Sequence, residues 1–416
     1  MGNIKGKRVL ASLVCLLIAC LVLYGLADKM LPNEISLFRG ETSVKKGFYS
    51  VELTPTAEAV ETFTHSGNES GLYQTDATLK LFGVLPLKTV QVNVYSENTL
   101  IPGGMPFGVK LHTKGVVVVG LSQIQGSERS RSPAGEAGIE KGDVIISING
   151  KSINKVEDIS KELDKGDGRS MELIIERKGV QKKCTLKPAL CSVEKRYKCG
   201  MWIRDSTAGI GTVTFIRPDT LTFGGLGHGI CDSDTNVLMP LLRGSVNTVR
   251  ILDIVRGSEG TPGELKGSFD GAQIGILSQN TNQGVFGTLD ELPSGTVMEA
   301  LPIGLRDEIK TGSVKIYTTL DESGIRGYDA TIEKIIDRDA PTKNFIVHIT
   351  DPELIKATGG IVQGMSGSPI VQDGKIIGAV THVLVKDPTR GYGISIENML
   401  DAANGATGEE QLKKAS

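Results

Sequence analysis

Two glycine-rich stretches hold the residues that could do chemistry. One is Gly364-Met365-Ser366-Gly367-Ser368-Pro369-Ile370 and the other is Gly227-His228-Gly229. A serine hydroxyl is a poor nucleophile near neutral pH. It needs a base, a tight turn that presents it, and backbone N–H groups aimed at the developing oxyanion. Gly364 and Gly367 allow the backbone angles of such a turn and a close substrate approach. A histidine can take the serine proton and return it to a leaving amine. Ser366 and His228 are therefore the expected nucleophile and general base. The other histidines have weaker settings: His65 in a polar stretch, His112 in a separate module, His348 and His382 in apolar strands.

A third group should fix the imidazole tautomer and stabilise its cation, and a carboxylate does this best. Asp351 follows the apolar strand Asn344–Ile349 and precedes Ser366 by 15 residues. Asp253, a lone acid within Ile251-Leu252-Asp253-Ile254, is the second choice. Asp232 lies too near His228 in sequence to orient its ring easily, and Asp270 reads as a turn acid. A metal site from His228, Cys231 and Asp232 or Asp234 lacks a second histidine at ligand spacing, and no H-E-x-x-H occurs. No metal and no cofactor are expected. None of the six cysteines forms C-x-x-C, and their disulfide status stays open.

These turns need a scaffold, and the composition bounds it. The 416 residues leave room for two or three domains. Fifty-two glycines with 5% aromatic residues suit a turn-rich, mainly β protein. The net charge of −2, with no long basic run, argues against nucleic acid as a partner.

Lys5, Lys7 and Arg8 precede an uncharged run, Val9 to Ala27, whose 19 residues are enough for a membrane-spanning helix. The basic flank places the N-terminus in the cytoplasm and exports the body. Residues 1–27 are read first as an uncleaved anchor. Cleavage after Ala27 competes, and so does lipidation at Cys20, although the apolar run continues past that cysteine. Residues 28–95 read as a polar spacer ending in a small β element, where Val90, Val92 and Val94 alternate with polar residues.

From 96 to 190 the pattern is one compact module. Val116 to Val119 form an apolar strand and Pro133 to Ile139 a helical turn. Val144 to Ile148 lead into an Asn-Gly turn, and Val156, Ile159 and Leu163 mark a helical face. Strands at Met171–Glu176 and Val180–Leu186 close it. Residues 195–404 show short strands and many turns, with helix only from Ile396, as in a β-barrel or sandwich. Residues 405–416 read as a polar tail.

The phrase Ala137-Gly138-Ile139-Glu140-Lys141-Gly142-Asp143-Val144-Ile145 resembles a PDZ domain. Such domains bind chain termini or extended segments by adding a strand to a sheet edge. By position, Phe107-Gly108-Val109 is the expected carboxylate-binding loop. The whole ordering resembles the stage IV sporulation protein B peptidase family. It runs from the apolar anchor through Lys80-Leu81-Phe82-Gly83-Val84-Leu85-Pro86-Leu87-Lys88 and the PDZ module to the two catalytic turns. The resemblance implies a mainly β protein: a PDZ domain, then a chymotrypsin-like double β-barrel, behind an N-terminal transmembrane helix. It implies His228 as base and Ser366, rather than Ser368, as nucleophile, with the N–H groups of Gly364 and Ser366 as oxyanion donors. It also implies export into the intermembrane space of the developing spore and self-cleavage. The substrate would be a membrane-bound regulator whose cleavage releases an intramembrane protease and activates a mother-cell sigma factor. Chymotrypsin-like proteases keep His and Asp in the first barrel, so Asp351 departs from the wider clan and Asp253 stays an alternative. In that clan the strand after the nucleophile lines the side-chain pocket, here Ile376–Val385 with Thr381 and His382. A non-catalytic PDZ scaffold and a general envelope-quality protease are the rival readings.

Overall fold

The computed structural model describes residues 31–414, except 39–40, 42, 47–48, 53–71, 82, 96–97, 128, 270 and 294–297. The expected anchor at 9–27, with Cys20, lies outside the described residues, as do His65 and Asp270. Among the described residues no helix is long and apolar enough to cross a membrane.

The described residues up to Asn98 form a unit of their own. Its five-stranded sheet runs Glu34–Phe38, Leu85–Tyr95, Leu72–Leu81, Tyr49–Glu52, Ser43–Lys46. The alternation at Val90, Val92 and Val94 does place these side chains in one core, with Ile35, Leu37, Val51 and Leu79. The first strand pairs in parallel with Leu85–Tyr95, Ile35 opposite Val92. The stretch expected to be a loose spacer therefore contributes three strands to this sheet. Their short, polar-flanked segments carry too little periodicity to reveal it.

The described residues from Thr99 onward form the second unit. Twelve of its strands build two closed barrels. The first barrel uses β1 (Pro106–Leu121), β2 (Met201–Ile216), β3 (Thr222–Gly225), β4 (Leu241–Thr248), β5 (Gln273–Thr281) and β6 (Gly284–Leu289). They pair in the ring β1-β4-β5-β6-β3-β2, closed by β2 on β1. The second barrel uses β7 (Gly312–Thr319), β8 (Ile325–Ile335), β9 (Phe345–Ile349), β10 (Pro369–Gln372), β11 (Lys375–Leu384) and β12 (Asp387–Ser395), in the ring β7-β8-β9-β12-β11-β10. Inward residues such as Phe107, Val213, Phe223 and Val285 fill the first barrel. Ile316, Ile332, Phe345 and Val380 fill the second. Full closure leaves neither barrel an exposed strand edge.

The module between β1 and β2 is an outgrowth of the first barrel. β1 and β2 are each 16 residues long and stay paired from Thr212 opposite Pro106 to Met201 opposite Leu121. At their far end β1 also pairs with Val144–Ile148, which pairs with Met171–Arg177, which pairs with Val180–Leu186. Helix α1 (Val156–Gly166) packs Ile159 into the core of this sheet, with Val156 and Leu163 against it. The uninterrupted valines of β1 follow from this geometry. Val116 and Val118 face the module's core, while Val117 faces the barrel's. A strand covered on both faces has no position left for a polar residue.

This layout corrects the expected carboxylate-binding loop. Phe107, Gly108 and Val109 lie in the barrel half of β1, between β2 and β4. Phe107 is fully buried, with its ring edge-on to Phe223 at 5.6 Å between centroids. Their backbones are committed to two neighbouring strands, so they cannot receive a peptide. Gly108 has a packing cause: a Cβ there would lie 2.2 Å from the Phe269 ring. The PDZ-like sheet begins further on, near Gly115.

Candidate active site

Ser366 sits in the turn that enters β10. Gly364 and Gly367 have φ of +98° and +95°, which side-chain-bearing residues avoid. A Cβ on Gly367 would also lie 2.0 Å from the Thr212 carbonyl oxygen. Almost every peptide group of the turn is tied. The Gln363 carbonyl accepts from the Leu265 N–H (2.8 Å), and the Gly364 carbonyl accepts from the Thr212 hydroxyl (2.7 Å). Met365 N–H donates to the Val362 carbonyl (3.1 Å), and its own carbonyl accepts from Ser368 N–H (2.9 Å). The Ser366 carbonyl accepts from Thr212 N–H (2.9 Å). Gly367 N–H donates to the Val380 carbonyl (2.7 Å), and the Gly367 carbonyl accepts from the Thr214 hydroxyl (2.7 Å). In Gly364 to Gly367 two N–H groups find no acceptor among the described residues: those of Gly364 and Ser366. Polar backbone groups are almost always paired, so two open donors in an otherwise saturated turn mark a place for an anion. Ser366 is half-buried, whereas Ser368 is fully buried and its hydroxyl finds no partner among the described residues.

His228 comes from the turn that leaves β3. Leu226 and Gly227 both have φ of +66°, and Leu226 N–H donates to the Thr212 carbonyl (3.2 Å). Thr212 therefore touches both turns. A Cβ on Gly227 would lie 2.9 Å from Thr381 Cγ2, so this turn rests directly on β11. His228 Nδ1 lies 3.0 Å from the Gly229 carbonyl oxygen. A carbonyl can only accept, so Nδ1 carries the proton and Nε2 is left as the basic nitrogen. Burial pushes the His228 pKa down, with the Gly229 carbonyl opposing it.

The two turns meet on Thr381-His382 of β11. The Ser366 hydroxyl donates to the Thr381 carbonyl (2.6 Å), and the His382 ring lies 4.8 Å from the His228 ring, centroid to centroid. No hydrogen bond joins Ser366 to His228. His382 is exposed, yet desolvation of its ring, then His228 and Lys343, lower its pKa and hold it neutral.

Neither favoured carboxylate reaches this site. Asp351 is the N-cap of α2 (Pro352–Thr358). Its carboxylate accepts from Glu353 N–H (2.9 Å), Leu354 N–H (3.1 Å) and Asp329 N–H (3.2 Å). Fifteen residues is a short distance along the chain, but a helix and a loop intervene. Asp253 is exposed on a hairpin, opposite Lys266. Asp232 is fully buried and pairs with Arg204 of β2, which also binds Asp234 (2.9 Å). Burial alone would raise the Asp232 carboxyl; hydrogen bonds from Thr235 and the Arg204 charge outweigh it and hold it low. Among the described residues no group of three or more His, Cys, Asp or Glu could hold a metal ion.

Three residues escaped the sequence reading: Thr212, Thr214 and Arg204. Their signal was faint but physical. Gly211-Thr212-Val213-Thr214-Phe215 places hydroxyls at alternate positions of an apolar strand. Both threonines are buried, and buried hydroxyls require partners.

Residues 195–400 match the family model described as SpoIVB peptidase S55, and residues 127–177 match a PDZ domain. Residues 195–400 place the peptidase domain of this chain in the SpoIVB peptidase family. That family is one of serine peptidases, and this member carries a PDZ domain. A putative zinc metalloprotease of Clostridium acetobutylicum is 34% identical over 98 residues, which are 24% of this chain and 26% of that protein. A probable protease, Eep, of Enterococcus faecalis is 31% identical over 100 residues, 24% of each chain. The match spans about a quarter of the length of these curated relatives. Among solved structures, the Rv3671c protease of M. tuberculosis, in its inactive form, aligns with 48% of this chain and 83% of its own, at 15% identity and a TM-score of 0.26. The PDZ domain of an SdrC-like protein from Listeria monocytogenes aligns with 22% of this chain and 87% of its own, at 15% identity and a TM-score of 0.18.

Proposed function

We propose that this SpoIVB-type peptidase is an endopeptidase that hydrolyses peptide bonds through an acyl-enzyme on Ser366. The observation that carries the reading is the pair of open N–H groups on the turn that presents the serine. In the first half-reaction the hydroxyl rotates away from the Thr381 carbonyl, and Ser366 Oγ attacks the scissile carbonyl carbon as its proton passes to His228 Nε2. The oxyanion accepts from the N–H groups of Gly364 and Ser366. Collapse breaks the C–N bond, and the amine leaves with the proton from His228. Water then adds to the acyl-enzyme, gives a proton to His228, and collapse returns that proton to Ser366. Throughout, the Gly229 carbonyl keeps the proton on Nδ1, the orienting role usually given to a carboxylate. Each oxyanion donor is worth about 10²- to 10³-fold in rate.

The same reading places the enzyme outside the cytoplasm, tethered by residues 9–27, in the intermembrane space of the developing spore. Its substrate is a membrane-bound regulator of an intramembrane protease. The PDZ module selects that substrate by docking an extended segment or a chain terminus, and the enzyme also cleaves itself. The family resemblance supports this setting.

The test is covalent labelling of the full chain by a fluorophosphonate, wild type beside Ser366→Ala, read by intact mass with self-cleavage followed over hours. Labelling and self-cleavage of the wild type, both absent from the variant, are expected. A folded wild type that stays unlabelled, with and without membranes, refutes the enzyme and leaves the scaffold reading.

A further inference from the structure

We infer that Thr212 is a positioning residue that sets the angle between the two oxyanion donors. The inference rests on the peptidase reading above and adds a residue to it. The N–H of Gly364 belongs to the plane shared with Gln363, and the N–H of Ser366 to the plane shared with Met365. One plane lies between them, the Gly364–Met365 peptide. Its rotation changes the direction of one donor relative to the other. That plane is pinned at both ends: Met365 N–H donates to the Val362 carbonyl, and the Gly364 carbonyl accepts from the Thr212 hydroxyl at 2.7 Å.

The pin at the carbonyl end is needed because Gly364 adds little stiffness of its own. It has no Cβ and sits at φ +98°, so its backbone resists rotation less than that of any other residue. Thr212 is suited to the task. It is buried, and it lies in β2, a strand of the closed first barrel. Its N–H holds the Ser366 carbonyl (2.9 Å), and its carbonyl holds Leu226 N–H (3.2 Å), two residues before His228. One rigid residue thus references the serine turn, the oxyanion donors and the histidine turn to the same strand.

Thr214 provides an internal control. Its hydroxyl, from the same strand, donates over the same 2.7 Å to the same turn, but to the Gly367 carbonyl. That plane lies beyond both donors, so its loss removes an equal hydrogen bond without freeing the angle.

The experiment compares Thr212→Val, Thr212→Ser and Thr214→Val in the full chain. Steady-state kinetics on a short peptide and the rate of fluorophosphonate labelling are read beside melting temperature. Thr212→Val removes the hydroxyl and keeps the volume. It should lower kcat and the labelling rate about ten- to hundred-fold, a misaligned donor being worth up to the loss of one, with KM within about twofold. Thr212→Ser should recover most of the rate, and Thr214→Val should lose clearly less than Thr212→Val at a similar melting temperature. Wild-type turnover in Thr212→Val overturns the inference, as does an equal loss in Thr214→Val. So does a serine variant as poor as the valine, since the methyl group would then be what matters. A wild type that neither labels nor turns over fails at the peptidase reading itself, and the inference falls with it.

Discussion

Replacing Asp351 by asparagine separates a helix cap from a catalytic acid. Asparagine caps helices as well as aspartate does, because its carbonyl oxygen can still accept the amides of Glu353 and Leu354. What it loses is the negative charge at the start of α2, about 0.3–1 kcal/mol, and the acceptor for Asp329 N–H. One partly exposed hydrogen bond adds about 0.5–1.5 kcal/mol. The expected destabilisation is about 1–2 kcal/mol, or about 2–8 °C for a domain of this size. Turnover should stay within about twofold of wild type, since no contact links this carboxylate to His228. A carboxylate that orients the catalytic histidine behaves differently: its amide replacement lowers kcat about 10⁴-fold. The assay is kcat on a short peptide beside thermal melting of the same preparation. Asp351→Ala serves as the cap-breaking control and should melt lower than the asparagine variant. An asparagine variant that melts like wild type but loses turnover about 10³-fold or more would show that Asp351 acts on the histidine.

The burial that lowers the His228 pKa favours its basic form, so protonation should switch the enzyme off only below the ordinary value of 6.5; the acid limb of kcat/KM should have its midpoint below that value, and a midpoint at or above it would refute the assignment. Arg204→Met should lower the melting temperature near neutral pH by uncovering the buried Asp232 carboxylate. The folded Asp232 pKa lies below its free value of 3.8, so the Arg204 contribution is fully present above that value and is lost as pH falls from there through the lower folded pKa. The difference in melting temperature between variant and wild type should therefore shrink on acidification, and a pH-independent difference would assign Arg204 a packing role only.

The parts of the site that were legible share one property: their evidence is local. Gly364, Gly367 and Gly227 announce positive φ angles in their own identity, so both turns could be placed from the sequence. Likewise the strand from Val180 to Leu186 and the helical face of Val156, Ile159 and Leu163 follow from periodicity. What stayed hidden depends on partners far along the chain. Pro106 to His112 look the same whether they begin a PDZ sheet or end a barrel, and only pairing with β4 decides it. Asp351 is near Ser366 in sequence, but a helix start claims its carboxylate first. Thr212 shows its role only beside a turn more than 150 residues away.

The paired strands that carry the PDZ module also make it portable. His112 of β1 and Ser206 of β2 face each other directly in antiparallel register. The chain thus leaves the barrel and re-enters it at one place, as it would at the ends of an ordinary hairpin. A two-residue turn of the Asn-Gly type joining these positions would close the ring without residues 113–205, with Asp232→Asn to offset the lost Arg204. A cut at 96–190 would instead remove β1 and open the barrel. The boundary between the PDZ module and the barrel therefore lies across a ladder rung rather than in a linker. A different module could be joined there while the twelve barrel strands stay closed.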